Sequence, residues 1–412
     1  MIALEICVIN RVPLERAPIN SWLDENDNVT LISRYDMPIE YLTKIKHFYC
    51  LKNFDNDQAL ESLIIKLHDQ FRFNRLITLS ENDVVRTAKL RSLLKIDGQD
   101  FFSGWLFKDK PTMKEFAQLR GLNVPGFTSI SSFQEAVEFA ENHGYPLICK
   151  PINEAGSLDV LYIKDNTDLG EVKGLLKKYD QIDIEEFIKG RLFHVDGVIS
   201  KRKIAFVSVS MYLTNDGKST TLFNQQSDSL DVTRTFSDFT INQNSEEFKN
   251  LASETNKLLE DPTFDNGTVH IEYIIDTNGK AYFIEMGSRT GGMMIANTIE
   301  HKFGFVMNEA SFKLQANIPF NFPDKKIDSE YGYMTILPEN NKLIKFNEEI
   351  IRENPDVIQL ESNAVIGHDY QLATESTSRI GTILFSAKNV ADVKNKINNL
   401  TQLIDKNIVW ST

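Results

Sequence analysis

A chain of 412 residues carrying a formal net charge of -13 can bury more than one core, and it is too acidic for extended contact with nucleic acid or an anionic membrane. Hydrophobic and charged contents of 42% and 25% are those of a globular protein. No apolar run approaches the roughly 20 residues of a membrane span, and the composition still allows a local basic pocket for a nucleotide.

The opening MIALEICVIN has no basic segment ahead of its apolar one, so it reads as a first buried strand in a cytoplasmic protein. Cys7, Cys50 and Cys149 lie in or beside apolar runs without CxxC spacing, which predicts buried, reduced thiols. From Ile2 to Ile96 the strand-like runs Ile2 to Ile9, Val29 to Ser33, His47 to Leu51 and Arg75 to Leu79 alternate with helical patterns, of which Ala59 to Phe71 and Glu81 to Ile96 are the clearest. That alternation predicts a parallel sheet covered on both faces. No GxGxxG follows the first strand, so a dinucleotide fingerprint is absent. Ser80 and Glu81 fall at the carboxyl edge of the last strand, where open α/β sheets place ligands, although Ser80 reads equally as a helix N-cap.

Asp97 to Gly104 reads as a linker, and Asp109 to Leu122 as a helix with Lys110 and Lys114 in its first turns. Ser132 and Glu135 make a capping box for the helix Phe133 to His143. The strand Pro146 to Pro151 ends in Cys149-Lys150-Pro151, and a lysine inside a buried run needs a partner. With the loop Ile152 to Ser157 and the returning strand Leu158 to Ile163, Lys150 could reach phosphates as a point charge; snorkelling from a strand end is the plain alternative. The strand Gln181 to Ile188 carries Glu185, Glu186 and Phe187, and its end could pair with an adenine edge. Arg191 to Ser200 and Lys203 to Leu213 form an antiparallel pair, and the polar loop Thr214 to Ser229 is a candidate lid.

Gly267 to Gly292 is the richest stretch. Two apolar runs flank Asp276-Thr277-Asn278-Gly279, a strong hairpin signal, and place Glu272 almost opposite Glu285. Two carboxylates at one end of a hairpin repel unless a divalent cation lies between them. Arg289 follows, and Gly291-Gly292 is read as the opening of a helix whose free N-H groups suit an anion. Metal pair, guanidinium and anion site together describe phosphoryl transfer, against the plain reading of an acidic hairpin beside a surface arginine. His194, His270 and His301 are weighed as structural before they are weighed as ligands. The last part, from Tyr331, alternates short strands, including Tyr370 to Ala373, with a closing helix Val390 to Ile404.

In this order the DK-containing helix, the KP strand, the EEFI hinge with its following Gly and VDG, and the hairpin closing on ExxxR with GG resemble the ATP-grasp superfamily, within it the carboxylate-amine ligases of the L-amino-acid ligase and carnosine-synthase type. The resemblance implies an α/β fold with an α+β part: an α/β pre-grasp domain over 1–104, an ATP-grasp region over 105–325 with a lid subdomain near 124–188 and a large subdomain near 189–325, and a small C-terminal α+β domain over 326–412. It implies ATP and Mg2+ as cofactors, two ions with Mn2+ as a substitute, bound by Glu272 and Glu285. Lys110, Lys150, Gly156 and Ser157 would meet the phosphates, and Glu185, Glu186, Phe187 and Ile188 the adenine. Arg289, with Lys150, would be catalytic, and Arg289, Gly291 and Gly292 would contact substrate.

The activity implied joins a small carboxylate to an amine, one of them an amino acid, through an acyl phosphate. A carrier-bound acceptor, a carboxylase-type reaction or a nucleotide-binding protein without turnover are the alternatives, and the resemblance leaves room for a homodimer. Three departures bear on it: Gly287 stands where many relatives have a third metal ligand, Glu154 and Asp159 stand where the phosphate loop usually has glycine, and Leu192 replaces a frequent glutamate.

Overall fold

The computed structural model describes residues 4–13, 16–24, 27–154, 156, 158–214, 235–260, 262–324, 327–373 and 378–411. The candidate lid, beyond Thr214, and Ser157 lie outside the described residues.

The N-terminal part is the expected α/β layer. Four parallel strands lie in the order Ile45–Cys50, Asn28–Ser33, Glu5–Asn10, Arg75–Thr78. The helices Asp57–Phe71 and Glu81–Leu94 are the two long ones among the described residues of this part. Cys7 and Cys149 are buried, but Cys50 is exposed, because it ends an edge strand. The expected linker holds a short helix, Phe101–Leu106, capped by the Asp100 side chain on the Ser103 N-H. Its glycine does not loosen the chain: a Cβ on Gly104 would come within 2.6 Å of the Ala88 Cβ, so Gly104 is where two helices touch.

A small antiparallel sheet follows, ordered Phe127–Ile130, Ile182–Glu186, Leu147–Pro151, Leu161–Ile163. One face packs on the helices Phe133–His143 and Val172–Lys178 through Ile130, Ala136, Cys149, Val172 and Ile184. The Ser132–Glu135 capping box is formed in both directions.

The centre of the molecule is an eight-stranded sheet in the order Ala281–Gly287, Gly267–Asp276, Gly190–Ser200, Lys203–Thr214, Thr235–Thr240, Glu330–Ile336, Gly381–Ala387, Gln359–Ser362. The C-terminal strands therefore continue this sheet, and their helix Val390–Asn407 covers it. The expected strand at Tyr370 to Ala373 does not form. Only an isolated bridge, Lys342 to Asp369, occurs there, and it is the unpredicted strand Ile408–Trp410 that pairs with Leu343–Phe346.

Alternation along the central strands separates two faces. Val195, Ile271, Phe283, Met211 and Phe239 enter the main core with Met113, Leu251, Val393 and Ile397 from the covering helices. Their sequence neighbours His194, Asp196, His270, Glu272 and Asp238 share the other face, as the cross-strand pairs Glu272 with His194, His270 with Asp196 and Ser210 with both His194 and Thr240 require. Glu272 is the member of that polar set that lines the site.

Candidate active site

The hairpin read from Asn278-Gly279 forms with Gly267–Asp276 against Ala281–Gly287, and Glu272 is the cross-strand partner of Glu285. A bulge just beyond, where Tyr273 pairs with Phe283 and leaves Ile284 over, twists the pair at this point. The two carboxylates are partly open, at 23% and 28% side-chain exposure. Lys110 Nζ lies 3.7 Å from Glu285 and His270 Nε2 lies 3.7 Å from Glu272. Hard carboxylate oxygens facing each other fit Mg2+ or Mn2+.

One cleft brings together Lys110, Lys150, Gly156, Glu185, Glu186, Phe187, Ile188, Glu272 and Glu285. Its apolar wall is Ile148, Leu158, Val160, Leu192, Ile274 and Ile284, with Ile188 packed against Leu192, Ile274 and Ile284. The cleft thus lies between the small sheet and the hairpin and combines polar and apolar lining, which suits a nucleotide.

The carboxylates of the two acidic hinge residues are engaged by protein groups. Glu185 accepts from Lys150 Nζ at 2.7 Å and pairs with Lys114 Nζ at 2.6 Å, while Glu186 accepts from the Gly126 N-H at 2.8 Å and meets His143 Nδ1 at 3.1 Å. Burial opposes ionisation of Glu185, but Lys114 and Lys150 outweigh it and bring its pKa down to about 2. Burial likewise works against the Lys150 ammonium, and Glu185, Asp183 and Glu285 hold it above the usual lysine range. Lys110 is pushed below that range by burial despite Glu285, and its Nζ donates to the Glu154 carbonyl. Asp159 is not in the cleft, since its carboxylate serves Lys178 and the Tyr179 hydroxyl, so of the two unfavourable acids only Glu154 lines the space.

Lys114 is fully buried and bonds Asp183 as well as Glu185. Lys114→Met would strand two buried carboxylates with Lys150 alone to compensate, at a cost of roughly 3–5 kcal/mol. A clear fall in the thermal unfolding midpoint is expected, and an unchanged midpoint would contradict it.

Arg289, Gly291 and Gly292 lie beyond Glu285 and do not line the nucleotide cleft. Arg289 donates through Nε to Glu81 of the N-terminal layer and through Nη1 to the Thr290 carbonyl at 3.1 Å. Glu81 also accepts from Lys108 Nζ at 3.2 Å. Burial raises the Glu81 pKa, and Arg289 and Lys108 more than reverse it, so the carboxylate stays ionised well below its usual range. Ser80 is the N-cap residue of the Glu81 helix but makes no side-chain capping bond. The helix expected from Gly291-Gly292 begins later, at Ile295. Residues 292–294 are a turn and Met293 has φ of 54°, which no α-helix accommodates.

Beside the buried histidines stand Asp196 and Asp238, to which no residue spacing gives a role. His194 Nδ1 meets Asp196 Oδ2 at 2.5 Å, and its Nε2 meets Asp238. Burial lowers the His194 pKa, but Asp238 and Asp196 carry it up to about 10. His194, Asp196 and His270 offer three ligand atoms within 4.8 Å of one another, a donor set that could hold a divalent cation.

Comparison with known proteins agrees with this geometry. The ATP-grasp domain family matches residues 143–297. The L-arginine-specific L-amino acid ligase of Bacillus subtilis is 23% identical over 352 residues, 83% of this chain and 82% of that protein. The D-alanine–D-alanine ligase of Geobacter sulfurreducens is 28% identical over 113 residues, 27% of this chain and 35% of its own. The L-amino acid ligase structure from Bacillus licheniformis superposes with a TM-score of 0.77 at 19% identity, covering 100% of this chain and 99% of that one. The carboxyaminoimidazole ribonucleotide synthase structure from Aspergillus clavatus does so at 0.71 and 14%, covering 98% and 99%.

The stretch that carries most of this cleft, residues 143–297, thus matches the ATP-grasp domain, and the chain as a whole has the fold of the L-amino acid ligase structure. Over most of its length it is similar to the L-amino-acid ligases.

Proposed function

We propose that this protein is an ATP-dependent ligase that joins a carboxylate to an amine through an acyl phosphate, with an amino acid as one substrate. The observation that carries the proposal is the convergence of Lys110, Lys150, Glu272 and Glu285 on one cleft, with Arg289 just beyond it. Lys110 and Lys150 would hold the phosphates of ATP. A substrate carboxylate oxygen attacks the γ-phosphorus, the bond to the β-γ bridging oxygen breaks, and ADP leaves. Mg2+ held by Glu272 and Glu285 would supply charge neutralisation on the phosphates. Arg289 and the backbone of Gly291-Gly292 would steady the acyl phosphate and the oxyanion formed when a neutral amine adds to the acyl carbon. Collapse expels phosphate, the nitrogen loses its proton, and an amide remains. No nucleophilic serine or cysteine is needed; Cys149 is buried, and burial raises its thiol pKa far above the usual range.

The test is ADP release by the purified protein with Mg2+ and pairs of amino acids and small amines, with mass spectrometry of the products. Release that needs two substrates and yields their condensation mass is expected. Nucleotide binding without release for any pair would contradict the proposal and direct attention to a carrier-bound acceptor or a protein without turnover.

A further inference from the structure

Five ionisable side chains are linked in succession on the polar face of the central sheet: Asp238, His194, Asp196, His270 and Glu272. The first four are between 0% and 6% exposed. Burying such groups costs several kcal/mol per ion, and apolar replacement of a buried ionic group is often neutral or stabilising. Stability alone would therefore favour on this face what the opposite face has, where Val195 and Ile271 pack as ordinary core.

The succession folds back between two strands, since His194 and Glu272 are cross-strand partners. Asp196 divides its two oxygens between the imidazoles, Oδ2 to His194 Nδ1 at 2.5 Å and Oδ1 to His270 Nδ1 at 3.0 Å. With Nδ1 of His270 so engaged, its Nε2 is the nitrogen turned to Glu272, 3.7 Å from Oε1. Asp238 closes the far end on His194 Nε2. Asp196 also lies directly under the turn beside Arg289, because a Cβ on Gly291 would come within 2.6 Å of its Oδ1.

The separations bear on what the cluster does. Two donors bound to one tetrahedral ion at about 2.0 Å each would stand more than 3 Å apart, whereas Asp196 and His194 are within direct hydrogen-bond distance. As arranged here both nitrogens of His194 and both oxygens of Asp196 have partners within the cluster.

We propose that Asp196 is the positioning residue of this site: through His270 it aims Glu272 at Glu285, and through its contact under Gly291 it sets the turn beside Arg289. The inference rests on the reading of Glu272 and Glu285 as the metal pair. Outer partners of a metal ligand are worth 10–100-fold in ion affinity, and Asp196 acts one residue further out, so about tenfold is expected.

The experiment measures Mn2+ affinity of the full chain with ADP by electron paramagnetic resonance, together with ADP affinity in the absence of metal. Asp196→Asn should weaken Mn2+ about tenfold while metal-free ADP affinity stays within about twofold, and Glu272→Gln should abolish tight Mn2+ binding. His270→Gln, which leaves Asp196 in place, should reproduce the Mn2+ loss and serves if Asp196→Asn does not fold. Unchanged Mn2+ affinity in Asp196→Asn or His270→Gln, with binding lost in Glu272→Gln, overturns the positioning role and leaves the metal pair standing. Equal losses of Mn2+ and metal-free ADP binding would also overturn it, as general damage. If Glu272→Gln binds Mn2+ normally and Asp196→Asn does not, the ion belongs to His194, Asp196 and His270, and both the metal pair and the inference fall.

Discussion

Glu285→Gln is expected to lower substrate-dependent ADP formation by roughly a thousandfold, about 4 kcal/mol of transition-state stabilisation, within the several kcal/mol that a bound divalent ion supplies. Glutamine keeps the volume and one oxygen but removes the charge facing Glu272. It also removes the anion 3.7 Å from Lys110, the first of the groups that support that ammonium against burial, so Lys110 would lose further positive character. Both changes weaken the hold on phosphate charge. The readout is kcat for ADP release with saturating ATP and Mg2+, and activity within tenfold of the parent protein would remove Glu285 from the metal pair.

Arg289→Ala should cost about a hundredfold to a thousandfold in kcat, the range seen when one group stabilising an oxyanion is lost. Among the described residues Arg289 spends only Nε, on Glu81, and one Nη1 bond, on the Thr290 carbonyl, so Nη2 is left for a ligand. Because Arg289 lies outside the nucleotide cleft, the KM for ATP should stay within about threefold. Arg289→Lys keeps charge but not the planar fork, and should restore only part of the loss. A raised KM for ATP with kcat intact would show Arg289 acting on the nucleotide instead.

The local signals in the sequence were strong where local chemistry decides the structure. Asn278-Gly279 fixes a turn, so the hairpin register and the opposition of Glu272 and Glu285 could be read before any tertiary contact was known. The Ser132–Glu135 box and the four N-terminal strands are of the same kind. What was misread depends on partners distant in sequence. Gly104 looked like a linker residue because its reason, the approach of Ala88, lies in another helix. Ile408–Trp410 is a strand only because Leu343–Phe346 offers an edge. The delayed start of the helix at Ile295 follows from the left-handed Met293, which no helical periodicity signals.

The candidate site divides the same way. Lys150 announced itself as a charge inside a buried run, and its partner Glu185 lies on the neighbouring strand. Glu185 and Glu186 belong to the hinge that the resemblance sets at adenine and both line the cleft, while the protein partners of their side chains, Lys150, Lys114, Gly126 and His143, are distant in sequence. Asp196 carried only the signal of a charged residue in a strand of alternating burial. Its meaning required His194, His270 and Gly291 from three separate positions in the chain. Arg289 and Glu81 are joined across 208 residues, a distance over which no spacing argument reaches.

The central claim, an acyl phosphate made from a carboxylate and ATP, is tested most directly by oxygen transfer. The carboxylate substrate found in the amino-acid and amine panel is labelled with 18O at both oxygens, and the products are weighed. The account predicts one labelled oxygen in each phosphate released, the other in the amide carbonyl, and none in ADP. Unlabelled phosphate, or label carried into AMP, would contradict it.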